Sequence, residues 1–226
     1  MIAASPPLHI RQKIELMGFE YKPDGFFSGK KHIETNQMPD THKSKAKKLV
    51  TTVHKKAFKK KAMAADILAS IGGIPEPGMS VDFISRGEGN AGSFYELIRD
   101  EWRTVNDAYI ATWIINRYYI DTLISDVQAG RLKKLVFVIS NRMRQLGHHV
   151  GNFNFMLQAF GENPAIGIRV ANSHAKTYCM SNGDDFITID GSANWTDNPR
   201  LENYTITNCR EKFEFRKKWM TEIIEK

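Results

Sequence analysis

From Ser80 to the C-terminus the chain alternates short apolar runs with amphipathic stretches, and that alternation leaves few architectures open. SVDFIS (80–85), AYIATWII (108–115) and LVFVI (135–139) are short and almost wholly apolar, as buried strands are. Between them, residues 93–105 put Phe94, Leu97, Ile98 and Trp102 on one helical face. Ile120, Leu123, Ile124 and Val127 recur at helical spacing before Gly130. A short helix over 153–160 and a strand over 165–171 follow. Residues 175–181 and 186–190 flank Asn182-Gly183, a strong hairpin signal. A strand over 204–208 and a helix over 211–225 close the chain. The expected fold is α/β, a mixed sheet flanked by helices, because the hairpin adds antiparallel strands to a strand–helix alternation.

The first third reads differently. Residues 1–40 are mixed, with a turn at Pro23-Asp24-Gly25, and residues 42–71 read as one or two helices. Gly72-Gly73-Ile74-Pro75-Glu76-Pro77-Gly78 breaks any helix and reads as a linker. The expected organisation is a basic, largely helical N-terminal segment over 1–75 and a second domain over 76–226.

Residues 41–62 hold nine lysines and no acid, while the whole chain carries only +7. The protein is thus a near-neutral body with one basic segment. Such a block suits a polyanion, either nucleic acid or an anionic membrane surface, or else it is a solvated helix face. For nucleic acid the candidate contacts are Lys47, Lys48, Lys55, Lys56, Lys59, Lys60 and Lys61. No apolar run approaches the roughly 18 residues of a membrane span. Cys179 and Cys209 are too few for a disulfide framework, so a reducing, cytoplasmic setting is expected.

The chemistry is concentrated between residues 174 and 202. His174 and Lys176 are two apart on an expected strand and leave its same face. The hairpin brings the chain back to Gly191-Ser192-Ala193-Asn194, where the glycine lets the backbone approach a ligand and Ser192 and Asn194 add donors. A histidine nucleophile, a lysine cation and neutral donors meet the needs of phosphoryl chemistry without a metal or other cofactor. The aspartates of the hairpin have no histidine partner at ligand spacing.

This pattern resembles the HKD motif of the phospholipase D superfamily, H-x-K-x4-D-x6-G-S-x-N. His174, Lys176, Gly191, Ser192 and Asn194 match, and six residues separate Asp184 from Gly191. Seven residues rather than four lie between Lys176 and Asp184, the surplus falling around the Asn-Gly turn. Many relatives carry a supporting glutamate eleven residues after the motif asparagine. Here that position is Thr205, and Glu202 at plus eight is the acid carried over. The resemblance covers about residues 80–226. It implies a two-step phosphodiesterase, most plainly a nuclease, in which one histidine forms a phosphohistidine and a second acts as acid and base. With one motif per chain, it implies a homodimer. The alternatives are a catalytically silent nucleic-acid-binding protein of the same fold, or an enzyme acting on phospholipids.

Other polar residues take plainer readings. Arg142, Arg144, His148 and His149 are expected in a loop beyond a buried strand, where they reach phosphate or simply solvent. The adjacent histidines are expected to point apart. Trp113 and Trp195 are read as core or pocket wall, and Cys179 as packed inside the sheet.

Overall fold

The computed structural model describes residues 59–225 apart from 88, 198 and 199. Of the helical stretch expected over 42–71, residues 42–58, and with them Lys47, Lys48, Lys55 and Lys56, lie outside the described residues. The described residues belong to one compact unit.

Residues 59–70 are helical (α1). After them come β1 (Ser80–Ser85), α2 (Ala91–Trp102), β2 (Val105–Thr112), α3 (Arg117–Gln128) and β3 (Leu132–Ser140). Two 3-10 turns (Asn141–Gln145 and Gly147–His149) lead into α4 (Val150–Gly161). The chain ends with β4 (Ile166–Ala171), β5 (Thr177–Ser181), β6 (Phe186–Gly191), β7 (Glu202–Asn208) and α5 (Arg210–Glu225). Asparagine side chains start two of the helices: Asn90 Oδ1 accepts from Ser93 N at 2.9 Å, and Asn116 Oδ1 from Tyr119 N at 3.1 Å.

The seven strands form one sheet in the order β1-β7-β6-β5-β2-β3-β4. β2, β3 and β4 run parallel, joined by helical crossovers, and the other four neighbour pairs are antiparallel. Strand periodicity sorts the side chains into two layers. Ala108, Ile110, Leu135, Phe137, Tyr178, Met180, Ile187 and Ile189 face a core shared with α1–α4. Tyr109, Ala111, Val136, Val138 and Cys179 face the other side, where Phe213 and Met220 of α5 cover them. Cys179 is fully buried, and burial pushes its thiol well above the ordinary range, so it packs rather than reacts.

The stretch over 72–78 is fastened to the sheet. Gly78 N donates to Asn208 O at 2.7 Å, and Asn208 Nδ2 to Pro75 O at 3.0 Å. Helix α1 buries Ala64 and Leu68 in the first core. Its lysines are partly engaged: Lys60 donates to Gly87 O, Lys61 pairs with Asp100, and Lys59 is exposed.

Candidate active site

The strand pairing brings the residues of interest to one end of the sheet. Ser85 pairs with Glu202, Gly191 with Tyr204, Thr177 with both Asp190 and Ala111, and Thr112 with Ile139. The C-terminal ends of β1, β2, β3, β4 and β6 and the N-terminal ends of β5 and β7 therefore lie together. His174 and Lys176 precede β5, Ser192 and Asn194 follow β6, and Glu202 opens β7. His174 and Lys176 stand in the irregular stretch before the strand, not in the strand itself.

Lys176 Nζ lies 3.3 Å from His174 Nδ1 and 3.2 Å from the His174 carbonyl oxygen. Trp113, just past β2, backs both: its ring centroid is 4.9 Å from that of His174 and 5.5 Å from Lys176 Nζ. Burial lowers the Lys176 ammonium below the usual lysine range, and the nearby Glu202 carboxylate opposes that shift without cancelling it. A charged ammonium only donates, so the Nδ1 that faces it accepts and a neutral His174 ring carries its proton on Nε2.

Across the site, Ser192 Oγ donates to Glu202 Oε2 and accepts from Asn203 N at 3.1 Å. Glu202 is buried. It is the acid carried over at plus eight, and the pairing of β6 with β7 sets where its carboxylate ends up. Thr205, at the position expected for the supporting acid, donates instead to Asp82 on β1. Asn194 Oδ1 lies 3.5 Å from Thr112 Oγ1. The segment holding Asn194 is locked beside the chain leaving β2: Trp195 N donates to Ile114 O at 3.1 Å and Asn116 N to Trp195 O at 3.0 Å. Trp195 itself is buried among Tyr95, Tyr119 and Tyr178, the core role expected of it. Thr112 was not legible as a site residue, since it reads as the unremarkable end of a buried strand.

The need for Gly191 has a different cause from close approach to a ligand. A Cβ there would stand 2.6 Å from Asn203 O and 3.0 Å from Tyr204 Cδ1, on the neighbouring strand. Gly191→Ala should destabilise the fold by about 1–3 kcal/mol, the usual cost of overpacking, and push Ser192 away from Glu202. Denaturant unfolding measures this, and an unchanged midpoint would show that β7 yields freely.

The hairpin aspartates are occupied elsewhere. Asp184 is exposed in the turn at the far end of the hairpin, and Asp185 accepts from Asn208 Nδ2 at 2.7 Å. Asp190 pairs with Arg216 at 3.0 Å and Lys212 at 3.2 Å on α5. Among the described residues no group of three or more His, Cys, Asp or Glu is placed to hold a metal ion. His148 and His149 do not point apart: on a 3-10 turn their ring centroids come within 4.1 Å.

No protein-family model matches the chain, and no curated protein does. Solved structures of similar fold include a phospholipase D family member, Nuc, from Salmonella typhimurium. It is 15% identical, over 64% of this chain and 94% of that one, with a TM-score of 0.46. Phosphatidylserine synthase from Haemophilus influenzae is 12% identical over 68% of this chain, TM-score 0.46. Polyphosphate kinase from Porphyromonas gingivalis is 14% identical over 57%, TM-score 0.41. This chain spans 40% of the synthase and 23% of the kinase.

Proposed function

We propose that this chain is a metal-independent phosphodiesterase of the phospholipase D kind, acting on DNA or RNA as a homodimer. The observation that carries the reading is the meeting of His174, Lys176, Ser192, Asn194 and Glu202 at one sheet end, from segments on both sides of a single hairpin. A histidine that forms a covalent intermediate, a partly desolvated cation and fixed polar donors suit the charge that builds on a pentacovalent phosphorus.

In the first step the unprotonated nitrogen of His174 forms a bond to phosphorus, and the bond to the leaving oxygen breaks. The partner subunit's His174 protonates that oxygen. In the second step it takes a proton from water as the water oxygen bonds to phosphorus and the P–N bond breaks. Attack through Nε2 requires the ring proton to pass to Nδ1, which frees Lys176 from the imidazole to face the phosphate. Two copies of Lys176 then supply the positive charge. Glu202, through Ser192, positions the loop after β6. The lysines of residues 41–62 add affinity for the polyanion and take no part in the chemistry.

The test is incubation of the full chain with labelled single- and double-stranded DNA and RNA in EDTA. Cleavage of any of the four is expected, with light scattering giving about twice 25.8 kDa. Cleavage that EDTA abolishes and Mg2+ restores would overturn the mechanism. A strict monomer that still cleaves would overturn the shared site.

A further inference from the structure

We infer that Arg142 and Arg144, on the 3-10 turn leaving β3, form a second phosphate subsite that holds a polynucleotide strand beside His174; this rests on the nuclease reading above. The turn begins at the same sheet end as the candidate site. Ser140 is the last residue of β3, its buried Oγ accepts from Arg142 N at 3.3 Å, and the turn follows at once. β3 neighbours β2, which neighbours β5, so the turn stands two strand spacings, about 10 Å, from the stretch carrying His174 and Lys176. Trp113 occupies the interval at the end of β2, against His174.

The two arginines are held outward. Met143 between them is fully buried and pins the turn to the core, while Arg142 and Arg144 are both exposed. Among the described residues neither has an acidic partner. Nor is one near in sequence, since residues 127–161 contain no Asp or Glu. By contrast Arg117, at the start of α3, is spent on Asp121 at 2.9 Å and on the Phe155 ring of α4. His148 is exposed on the next turn, and α4 starts behind it at Val150 with no side-chain cap and no acid in its first turn. Uncompensated guanidinium groups with exposed N–H donors recognise phosphate oxygens.

A nucleic acid strand fits better than a lipid surface. Among the described residues the exposed large apolar side chains are Met79, Ile84, Leu201 and Phe215, and none belongs to β3, β4 or the segment between them. A bilayer-facing patch would mix its cations with such side chains. A strand needs a cation at intervals along its backbone, and the arginines provide one beyond the phosphate that reacts.

The experiment compares Arg142→Gln/Arg144→Gln with Lys133→Gln/Lys134→Gln, which removes the same charge at the opposite end of β3. Binding of a labelled single-stranded oligodeoxynucleotide is measured in EDTA across a salt series, in a His174→Ala background so that the strand stays whole. Turnover of bis-p-nitrophenyl phosphate is measured in the wild-type background. The arginine pair should weaken binding about tenfold and reduce the salt slope by about 1.4, at about 0.7 per lost contact, with diester turnover unchanged. The lysine pair should change neither. Equal losses from both pairs, an unchanged slope, or arginine-dependent binding to phosphatidylglycerol vesicles without oligonucleotide binding would overturn the subsite. Absence of turnover on every diester would sink the phosphodiesterase reading alone, because the binding comparison decides the subsite by itself.

Discussion

His174→Ala should lower turnover on every phosphodiester by at least about ten-thousandfold, the largest change expected of any single substitution here. The size follows from the double use proposed for the histidine. In a dimer the one substitution removes the nucleophile of one subunit and the acid of the other, and general acid catalysis alone is worth about 10²–10⁴. The side chain is exposed, so its loss leaves no cavity, and circular dichroism should be unchanged. Rapid denaturation of the wild type at alkaline pH, during turnover of a labelled diester, should leave label on His174 through a P–N bond that acid then releases. Excess His174→Ala subunits should poison wild-type activity as mixed dimers form. Label on any other residue, or residual activity of a tenth or more, would remove His174 from the reaction.

Asp126→Ala should produce the largest loss of stability. The carboxylate is fully buried at the sheet end opposite the site. It lies 2.6 Å from Arg99 Nη1, 2.7 Å from Arg131 Nη2 and 2.9 Å from the Tyr95 hydroxyl. Removing it takes the buried anion from the Arg99 guanidinium, which is itself nearly buried, and leaves it only the more exposed Asp100, 2.7 Å from Nη2. Breaking such a pair costs about 3–5 kcal/mol, far more than the pair contributes over a well-packed apolar replacement. Tm should fall by about 6–20 °C at the roughly 2–4 °C per kcal/mol of a domain this size. Asp121→Ala, which breaks an exposed pair on the same helix, should cost no more than about 0.5 kcal/mol. A Tm shift for Asp126→Ala no larger than that of Asp121→Ala would show that water reaches the cluster on relaxation.

Much of this arrangement was legible in the sequence because strand and helix periodicities are local. LVFVI announced β3, and Asn182-Gly183 announced the hairpin, with Asn182 Oδ1 accepting from Asp184 N and Asp185 N and Gly183 at φ 109°. The edges were harder to read. β3 begins at Leu132, through two exposed lysines, because Leu132 pairs with Val105. β7 begins at Glu202 because Ser85 and the end of β6 wait beside it. Neither edge has an apolar signal of its own. Likewise His174 and Lys176 were visible as a pair, whereas Trp113 against them was not. No periodicity records which strand end will face which, and the order β6-β5-β2 is a property of the folded sheet. The stretch over 72–78 read as a linker from its prolines and glycines, yet its hydrogen bonds go to β7, which composition does not reveal.

The β5–β6 hairpin places its turn at one end of the sheet and its two open ends, with His174 and Ser192, at the other. Residues can be added or removed at the turn without moving the reacting groups, as long as the register of Thr177 with Asp190 is kept. Under the proposed reading, the three residues by which the stretch after Lys176 exceeds the resembled pattern would fall at the turn and leave the two open ends in place. The same separation also makes the exposed Gly183-Asp184 bond the natural place to graft a fluorophore peptide or an affinity tag: the insertion would ride on the hairpin, at the sheet end opposite the candidate site.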